Sequence, residues 1–134
     1  MLIEQKINSD LKIIPQITLQ VFKKLKDLEI SEDELFDIRL CLEEALINAI
    51  KHGNRTQKDK KIFFKIKISP GKIEIEVKDQ GKGFNHRNIP SPTIKKNLEK
   101  TSGRGIFLIK KLMDKVEFLD SGTRIRMIKY IQHK

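Results

Sequence analysis

Three polar side chains that could do chemistry recur at one-turn spacing between residues 44 and 52. Glu44, Asn48 and His52 stand at positions i, i+4 and i+8, so a helix would place them on one face. The amide oxygen of Asn48 is a hard ligand of the kind that Mg²⁺ prefers, and Glu44 could orient or deprotonate an attacking hydroxyl. An ordinary helix with an exposed glutamate and asparagine explains the same pattern. For His52 the end of a helix, where an imidazolium is mildly favoured, is reason enough.

The neighbours of these groups on a helical wheel favour a cleft wall over a purely solvated face. Phe36, Leu40 and Ile47 lie on the same side as Glu44 and Asn48. Roughly opposite runs an apolar stripe that we expect to face a sheet. The stripe consists of Leu35, Ile38, Leu42, Ala45, Leu46 and Ala49.

A second group of candidate residues follows a strand pattern directly. Asp79 at the strand end can accept a hydrogen bond from an exocyclic amine such as that of adenine. Gly81 and Gly83 permit backbone angles and a close ligand approach that a Cβ would forbid. A simple D-x-G turn is the alternative interpretation.

A third group precedes an apolar helical pattern that begins at Ile106. Gly103 and Gly105 would expose backbone N–H groups to an anion at the helix N-terminus, where the helix dipole adds to the attraction. Arg104 would supply a mobile positive charge. A plain loop is again the alternative, and neither a G-x-x-x-x-G-K-[ST] loop nor a G-x-G-x-x-G motif after a first strand is present.

The elements that must position these groups follow from hydrophobic periodicity and turn residues. Ser31 and Glu34 form a capping-box pattern that opens the second helix, and Gly53 is expected to end it in a left-handed conformation. We expect strands over 1–7, 61–69, 72–78, 115–119 and 123–131, helices over 10 or 15 to 28, 31–52 and 105–113, and a turn at 120–122. The polar segment 85–102 is long for an ordinary connection and is typical of a lid or binding loop.

This order of elements predicts an α+β fold for a single domain spanning 1–134. Its architecture is a two-layer sandwich, with one mostly antiparallel sheet and the helices on one face.

Composition narrows the possible partners and location. No apolar run approaches the roughly 20 residues of a membrane span, so no membrane partner is expected. The formal charge of +10 is spread along a chain with one tyrosine and no tryptophan, which favours a solvated basic surface over nucleic-acid binding. The one cysteine, Cys41, has no partner for an internal disulfide, so a reducing cytoplasm is expected.

Taken in order, the three motifs resemble the nucleotide-binding boxes of one ATPase superfamily. They read E-A-L-I-N-A-I-K-H-G from Glu44, D-Q-G-K-G from Asp79 and G-R-G-I-F-L-I from Gly103. The superfamily is the one shared by DNA gyrase, MutL, heat-shock chaperones and histidine kinases, whose fold is the Bergerat fold. The closer resemblance is to one branch of this superfamily, the anti-sigma factor serine-protein kinases. It is carried by the sequence of the first box, by the Leu112–Val116 segment and by the Gly122-Thr123 turn.

The resemblance implies ATP and Mg²⁺ as cofactors and assigns roles residue by residue. Glu44 becomes the catalytic base, Asn48 the Mg²⁺ ligand and Asp79 the acceptor for the adenine amine. Thr123 becomes a second contact near the adenine. The remaining assignments are Gly81 and Gly83 to the adenine pocket, Gly103, Arg104 and Gly105 to the phosphate loop, and 85–102 to the lid.

The implied reaction is transfer of the γ-phosphoryl group to a serine of an anti-anti-sigma protein of the sulfate-transporter and anti-sigma-antagonist type. A sigma factor and a second copy of the chain are further candidate partners. Two alternatives remain: a nucleotide-gated binding module without phosphoryl transfer, and a detached histidine-kinase ATP-binding domain. The presence of Glu44 argues against the first alternative. The second lacks room for a dimerisation helix pair bearing a phosphoacceptor histidine.

Overall fold

The computed structural model of the protein describes residues 1–55, 57, 59–81 and 102–131, with the backbone alone at 102–104. The predictions for Gly83, for the Arg104 side chain and for the lid up to residue 101 therefore lie outside the described residues.

Five strands form one sheet in which every neighbouring pair is antiparallel. They are β1 (Leu2–Asn8), β2 (Lys61–Ser69), β3 (Lys72–Lys78), β4 (Lys115–Leu119) and β5 (Arg124–Tyr130), in the order β1-β2-β3-β5-β4. Because β5 lies between β3 and β4, the end of β3 is next to the start of β5. This adjacency places Asp79 beside Thr123, which precedes β5.

The two faces of the sheet differ as the alternation of β3 predicts. Ile73, Ile75 and Val77 are buried on the inner face, against the helices. The outer face is charged, and there Glu76 forms ion pairs with Lys65 at 3.1 Å and with Arg124 at 3.2 Å. The helices cover the apolar face alone, which confirms the expected α+β two-layer sandwich.

Among the described residues, three α-helices form the second layer: α1 (Ile14–Lys26), α2 (Glu32–Asn48) and α3 (Ser102–Leu112). The capping box at the start of α2 is confirmed, since the Glu34 amide donates to Ser31 Oγ at 3.1 Å and the Ser31 amide donates to the Glu34 carboxylate at 3.3 Å. All six residues of the expected apolar stripe on α2 are buried. Among the described residues, no helix is long and apolar enough to cross a membrane.

The end of α2 differs from the prediction in its geometry. The α-helix ends at Asn48 and continues as one π-helical turn, Ala49–Gly53, which the Asn54 amide closes by donating to the Ala49 carbonyl at 2.8 Å. The prediction of a left-handed Gly53 is wrong, because Gly71 and Gly122 are the described glycines with positive φ. Glycine is required at 53 for a tertiary reason, namely its contact with Asp79.

Helix α3 begins at Ser102, three residues before the predicted start at 105. Gly103 and Gly105 therefore lie within its first turn and do not precede it. The buried residues that reveal the helical period, Ile106 and Ile109, begin only after this polar turn. Periodicity alone therefore placed the start of the helix too late.

Candidate functional site

Asp79 lies at the end of β3 in a buried position, with 8% of its surface exposed. Its backbone amide donates to the Thr123 carbonyl at 2.9 Å, and its Oδ1 accepts the Gly81 amide at 2.7 Å. Burial raises the pKa of the Asp79 carboxyl, an effect opposed by the hydrogen bond from Gly81 and by the charges of Lys60 and Lys78. The carboxyl is therefore fixed in orientation through one oxygen.

Two glycines let the end of α2 pack directly against this carboxyl. A Cβ on Gly53 would lie 2.1 Å from Asp79 Oδ2, and a Cβ on Gly81 would lie 1.9 Å from the Gly53 carbonyl oxygen. Both distances are far below van der Waals contact, so side chains at 53 or 81 would push the helix and the loop apart. Oδ2, the oxygen that Gly81 does not bind, lies on the Gly53 side of the loop.

A cavity that is open in part to solvent adjoins Asp79. Its walls are mostly apolar, with a few polar groups, which is the usual composition of a small-molecule site. The apolar side chains of the wall are Ala45, Ala49, Val77, Ile106, Phe118 and Ile125. The polar ones are Asn48, His52, Asp79 and Thr123. A flat, apolar ring with a polar edge facing Asp79 suits this slot.

Thr123 connects the turn before β5 to the end of β3 at the edge of the cavity. Its hydroxyl donates to the Asp120 carbonyl at 2.8 Å, while its own carbonyl accepts the Asp79 amide. The tight turn at Asp120–Gly122 contains three consecutive residues with positive φ, which directs Thr123 back toward β3. Thr123 is thus held beside Asp79 by hydrogen bonds in both directions.

Asn48 lies on the helix wall at the end of the cavity nearest α3. A Cβ on Gly105 would lie 3.1 Å from Asn48 Nδ2 and 2.6 Å from Glu44 Oε2, so the first turn of α3 packs directly on both side chains. The Asn48 Nδ2 atom is buried and has no hydrogen-bond partner among the described residues. An unsatisfied buried amide is costly in free energy, and a polar ligand at this point would reduce that cost.

The C-terminal end of α3 is held to α2 by a lysine from the sheet. The Lys129 ammonium donates to the Leu112 carbonyl at 3.1 Å and lies 3.6 Å from the Asp37 carboxylate. Cys41 is buried in the same layer. Burial raises the pKa of its thiol to about 12, with Asp37 also raising it and Lys129 lowering it. These contacts position α3, and with it Gly105, against Glu44.

The structure brings together the predicted site residues that it describes. Asn48, Asp79 and Thr123 line one cavity, Gly81 shapes the Asp79 loop, and Glu44 and Gly105 meet beside Asn48. The backbone of Gly103 lies in the first turn of α3. The expected apolar neighbours Phe36, Leu40 and Ile47 do not line the cavity. Its apolar wall comes from Ala45 and Ala49 on the other side of the helix, from α3 and from the sheet.

His52 is a cavity residue to which sequence analysis gave no site role. It lines the wall beside Gly53, and burial together with nearby Lys51 lowers the pKa of its imidazole, which favours the neutral form. The spacing of four residues between Asn48 and His52 was the sequence feature that could have indicated a role in the site. Phe118 and Ile125, also missed, carry no local signal because they read as ordinary strand residues.

The donor set fits a nucleotide with its metal better than a metal ion held by protein alone. Within the described part of the chain, no group of three His, Cys, Asp or Glu side chains could hold a metal ion. Asn48 offers one amide to a ligand, and Mg²⁺ is commonly held by one or two protein groups together with substrate phosphates and water. One protein amide at this point is compatible with a metal ion that is held mainly by a ligand's phosphates and by water.

Comparison with known proteins agrees with this geometry. A family model described as the histidine kinase-like ATPase domain matches residues 7–129, nearly the whole chain. The chain therefore belongs to the histidine kinase-like ATPase domain family.

The chain is also similar to serine-protein kinases named RsbW and to an anti-sigma F factor. The chain is 31% identical to the serine-protein kinase RsbW of Listeria innocua, over 78% of this chain and 71% of that protein. It is also 31% identical to the anti-sigma F factor of Oceanobacillus iheyensis, over 80% and 77%. The serine-protein kinase RsbW of Staphylococcus epidermidis is 29% identical and covers 97% of this chain.

Proposed function

We propose that this chain is an ATP-dependent serine-protein kinase and an anti-sigma-type regulator that phosphorylates an anti-anti-sigma protein. The names of its relatives support both halves of the proposal, since some are serine-protein kinases and one is an anti-sigma factor. A sigma factor is a further candidate partner, and the cytoplasm is the proposed location.

The observation that carries the proposal is the continuity between the cavity and the Glu44 side chain. The cavity extends from Asp79 to Asn48, and Asn48 shares the close approach of Gly105 with Glu44. Glu44 and Gly53 are nine residues apart, or roughly 14 Å along a helix. A nucleoside triphosphate lying along α2 would place its base at Asp79 and its γ-phosphate near Glu44.

Each residue of this arrangement has a defined task. Asp79 accepts a hydrogen bond from the adenine 6-amino group, while the apolar walls contact the faces of the ring. Asn48 would hold Mg²⁺ through its amide oxygen, and the ion would supply positive charge that neutralises the phosphates. The amides of the first turn of α3 would be available to the phosphates, because the N-terminus of a helix favours an anion.

Glu44 accepts the proton of the attacking serine. The serine oxygen forms a bond to the γ-phosphorus, the bond from that phosphorus to the bridging oxygen breaks, and ADP leaves with the bonding electrons. The serine proton moves to the Glu44 carboxylate, so charge and atoms balance. Positioning and electrostatic stabilisation contribute most of the rate enhancement in phosphoryl transfers of this kind.

Nucleotide binding is tested first, by thermal unfolding with and without Mg-ATP. A ligand at 100 times its dissociation constant stabilises the native state by about 2.7 kcal/mol. The melting temperature should therefore rise with Mg-ATP concentration. An unchanged melting temperature at millimolar Mg-ATP would refute nucleotide binding and the proposed function with it.

Phosphoryl transfer is tested by incubating the protein with Mg-ATP and small sheet-domain proteins encoded beside its gene, followed by intact mass. A partner that gains one phosphate supports the kinase assignment. If the chain binds ATP but no candidate gains phosphate, a nucleotide-gated binding module without transfer is the better assignment.

Glu44→Gln and Glu43→Gln form a matched pair for the role of the base. Gln retains the shape that packs on Gly105 but cannot accept the proton, so the rate should fall by about 10²- to 10⁴-fold with little change in ATP affinity. Glu43 instead forms an exposed ion pair with Arg39 at 2.9 Å, whereas Glu44 lies beside Asn48 against Gly105. Loss of the Glu43 carboxylate should therefore leave the rate nearly unchanged. Equal effects of the two substitutions would contradict the role of Glu44.

A further inference from the structure

Asn54, directly after the π-turn, has no exposed surface and lies outside the lining of the cavity. Its amide Nδ2 donates to the Lys61 carbonyl at 3.0 Å and to Ser9 Oγ at 3.3 Å. Its backbone amide donates to the Ala49 carbonyl at 2.8 Å. One buried side chain therefore connects the end of α2 to the end of β1 and the start of β2.

The remaining polar atom of this side chain contacts the loop that carries Asp79. Asn54 Oδ1 accepts the backbone amide of Gln80 at 2.7 Å. The Gln80 side chain reinforces the contact, because its Oε1 accepts the Lys61 amide at 2.7 Å. Gln80 is thus joined both to Asn54 and to the β2 residue that Asn54 also binds.

The three successive amides of the loop each have a different acceptor. The Asp79 amide donates to the Thr123 carbonyl on the β5 side, the Gln80 amide to Asn54, and the Gly81 amide to the Asp79 carboxylate. The first bond fixes the loop to the sheet, the second fixes it to the helix end, and the third sets the rotation of the carboxyl. Without the second bond, the loop can move away from Gly53 and the carboxyl can turn with it.

We infer that Asn54 is a positioning residue for adenine recognition, acting through Gln80 on the orientation of the Asp79 carboxyl. The inference rests on the proposed function, in which Asp79 binds the adenine amine. A residue with a purely structural role would stabilise the fold equally but would leave the affinity of the folded protein for ATP unchanged.

A double-mutant cycle on ATP affinity separates the two roles, because residues that act through one another are not additive. Dissociation constants for Mg-ATP are measured by calorimetry for wild type, Asn54→Ala, Asp79→Ala and the double variant, at a temperature where all are folded. Asn54→Ala should raise the constant about tenfold in the wild-type background, as expected for loss of roughly 1.4 kcal/mol. In the Asp79→Ala background the same change should have less than about a twofold effect.

Ser9→Ala is the matched control, since it removes the other contact of the same amide. Ser9 is fully buried and lies at the end of β1, so its loss should lower stability while the Gln80 amide keeps its acceptor. ATP affinity should therefore stay at the wild-type value. Additive effects of Asn54→Ala and Asp79→Ala, or equal losses of affinity in Asn54→Ala and Ser9→Ala, would overturn the inference.

If Asn54→Ala does not fold, Asn54→Asp provides a second test of the positioning role. Its carboxylate can still accept the Gln80 amide but cannot donate to the Lys61 carbonyl, so stability should fall while ATP affinity remains close to wild type. Amide hydrogen exchange at Gln80 gives a readout independent of nucleotide: exchange should be faster in Asn54→Ala than in Ser9→Ala. If the wild-type protein binds no ATP, the proposed function fails. If the wild-type protein binds ATP but Asn54→Ala leaves amide exchange at Gln80 unchanged, the inference alone is refuted.

Discussion

Asp79→Asn is the substitution whose outcome the structure defines most sharply. The Gly81 amide donates to Asp79 Oδ1 at 2.7 Å, so an asparagine at 79 must keep its carbonyl oxygen in that place. Its NH₂ group then occupies the position of Oδ2, beside Gly53. The pocket would present a donor to the adenine amine where wild type presents an acceptor.

The expected loss of ATP affinity follows from that mismatch. Two donors that face each other in a buried site leave at least one group unsatisfied, at about 1–3 kcal/mol. The dissociation constant for ATP should therefore rise by about 5- to 150-fold. Inosine triphosphate carries a carbonyl oxygen in place of the 6-amino group, and that oxygen can accept from the new NH₂. The preference for ATP over inosine triphosphate should thus fall at least about fivefold, by the same energy scale.

Titration calorimetry with both nucleotides on both proteins measures this change in preference. Asp27→Asn is the control, because it removes the same charge from an exposed site at the end of α1 that does not line the cavity. Its affinities should match those of wild type. If Asp79→Asn weakens both nucleotides equally, or neither, Asp79 does not bind the 6-substituent and the reasoning is refuted.

The same variant should change how stability depends on pH. Burial raises the folded-state pKa of Asp79 above its ordinary value of 3.8, so protonation favours the folded state. That contribution is fully present below 3.8 and is lost as pH rises through the folded-state pKa. Asp79→Asn, which has no charge to bury, should therefore gain stability relative to wild type as pH rises from 3 to 7, in urea unfolding without nucleotide.

Three further substitutions or treatments test other contacts of the site. Gly81→Ala should abolish nucleotide binding and lower the melting temperature, because its Cβ would overlap the Gly53 carbonyl. Gly71→Ala is the control: its φ is +75° and its Cβ would make only an ordinary contact of 3.8 Å with the Ile131 carbonyl oxygen, so it should cost about 1–2 kcal/mol of stability. Cys41 has no exposed surface and a thiol pKa of about 12 against an ordinary 9.0, so it should react with thiol reagents far more slowly in the folded than in the unfolded protein, as followed by mass. Lys129→Met should lower the free energy of unfolding by about 1–3 kcal/mol in urea titrations, because it leaves the end of α3 without its partner.

The local elements of this fold could be predicted from the sequence because their signals are local. The stripe on α2 follows from a 3.6-residue period, β3 follows from strict alternation, and the capping box follows from Ser31 and Glu34 three residues apart. The α+β class follows from the order of those elements. The start of α3 could not be placed in the same way, because its first turn is polar and carries no periodic signal.

The candidate site likewise contains residues that sequence could identify and a residue that it could not. Glu44, Asn48, Asp79 and the glycines of the loops stand in short motifs, so sequence could single them out. The contribution of Asn54 could not be seen there, since its partners Ser9 and Gln80 are 45 and 26 residues away along the chain.

Sequence by itself determined which residues could recognise a nucleotide and, apart from the glycines at the start of α3, on which elements they lie. Only the tertiary structure decided that β5 lies beside β3, which brings Thr123 to Asp79, and that the end of α2 packs against the same loop. The requirement for glycine at 53 belongs to this second group. It arises from a carboxylate 26 residues away and not from the local backbone conformation, because hydrogen bonding and steric exclusion act between neighbours in space.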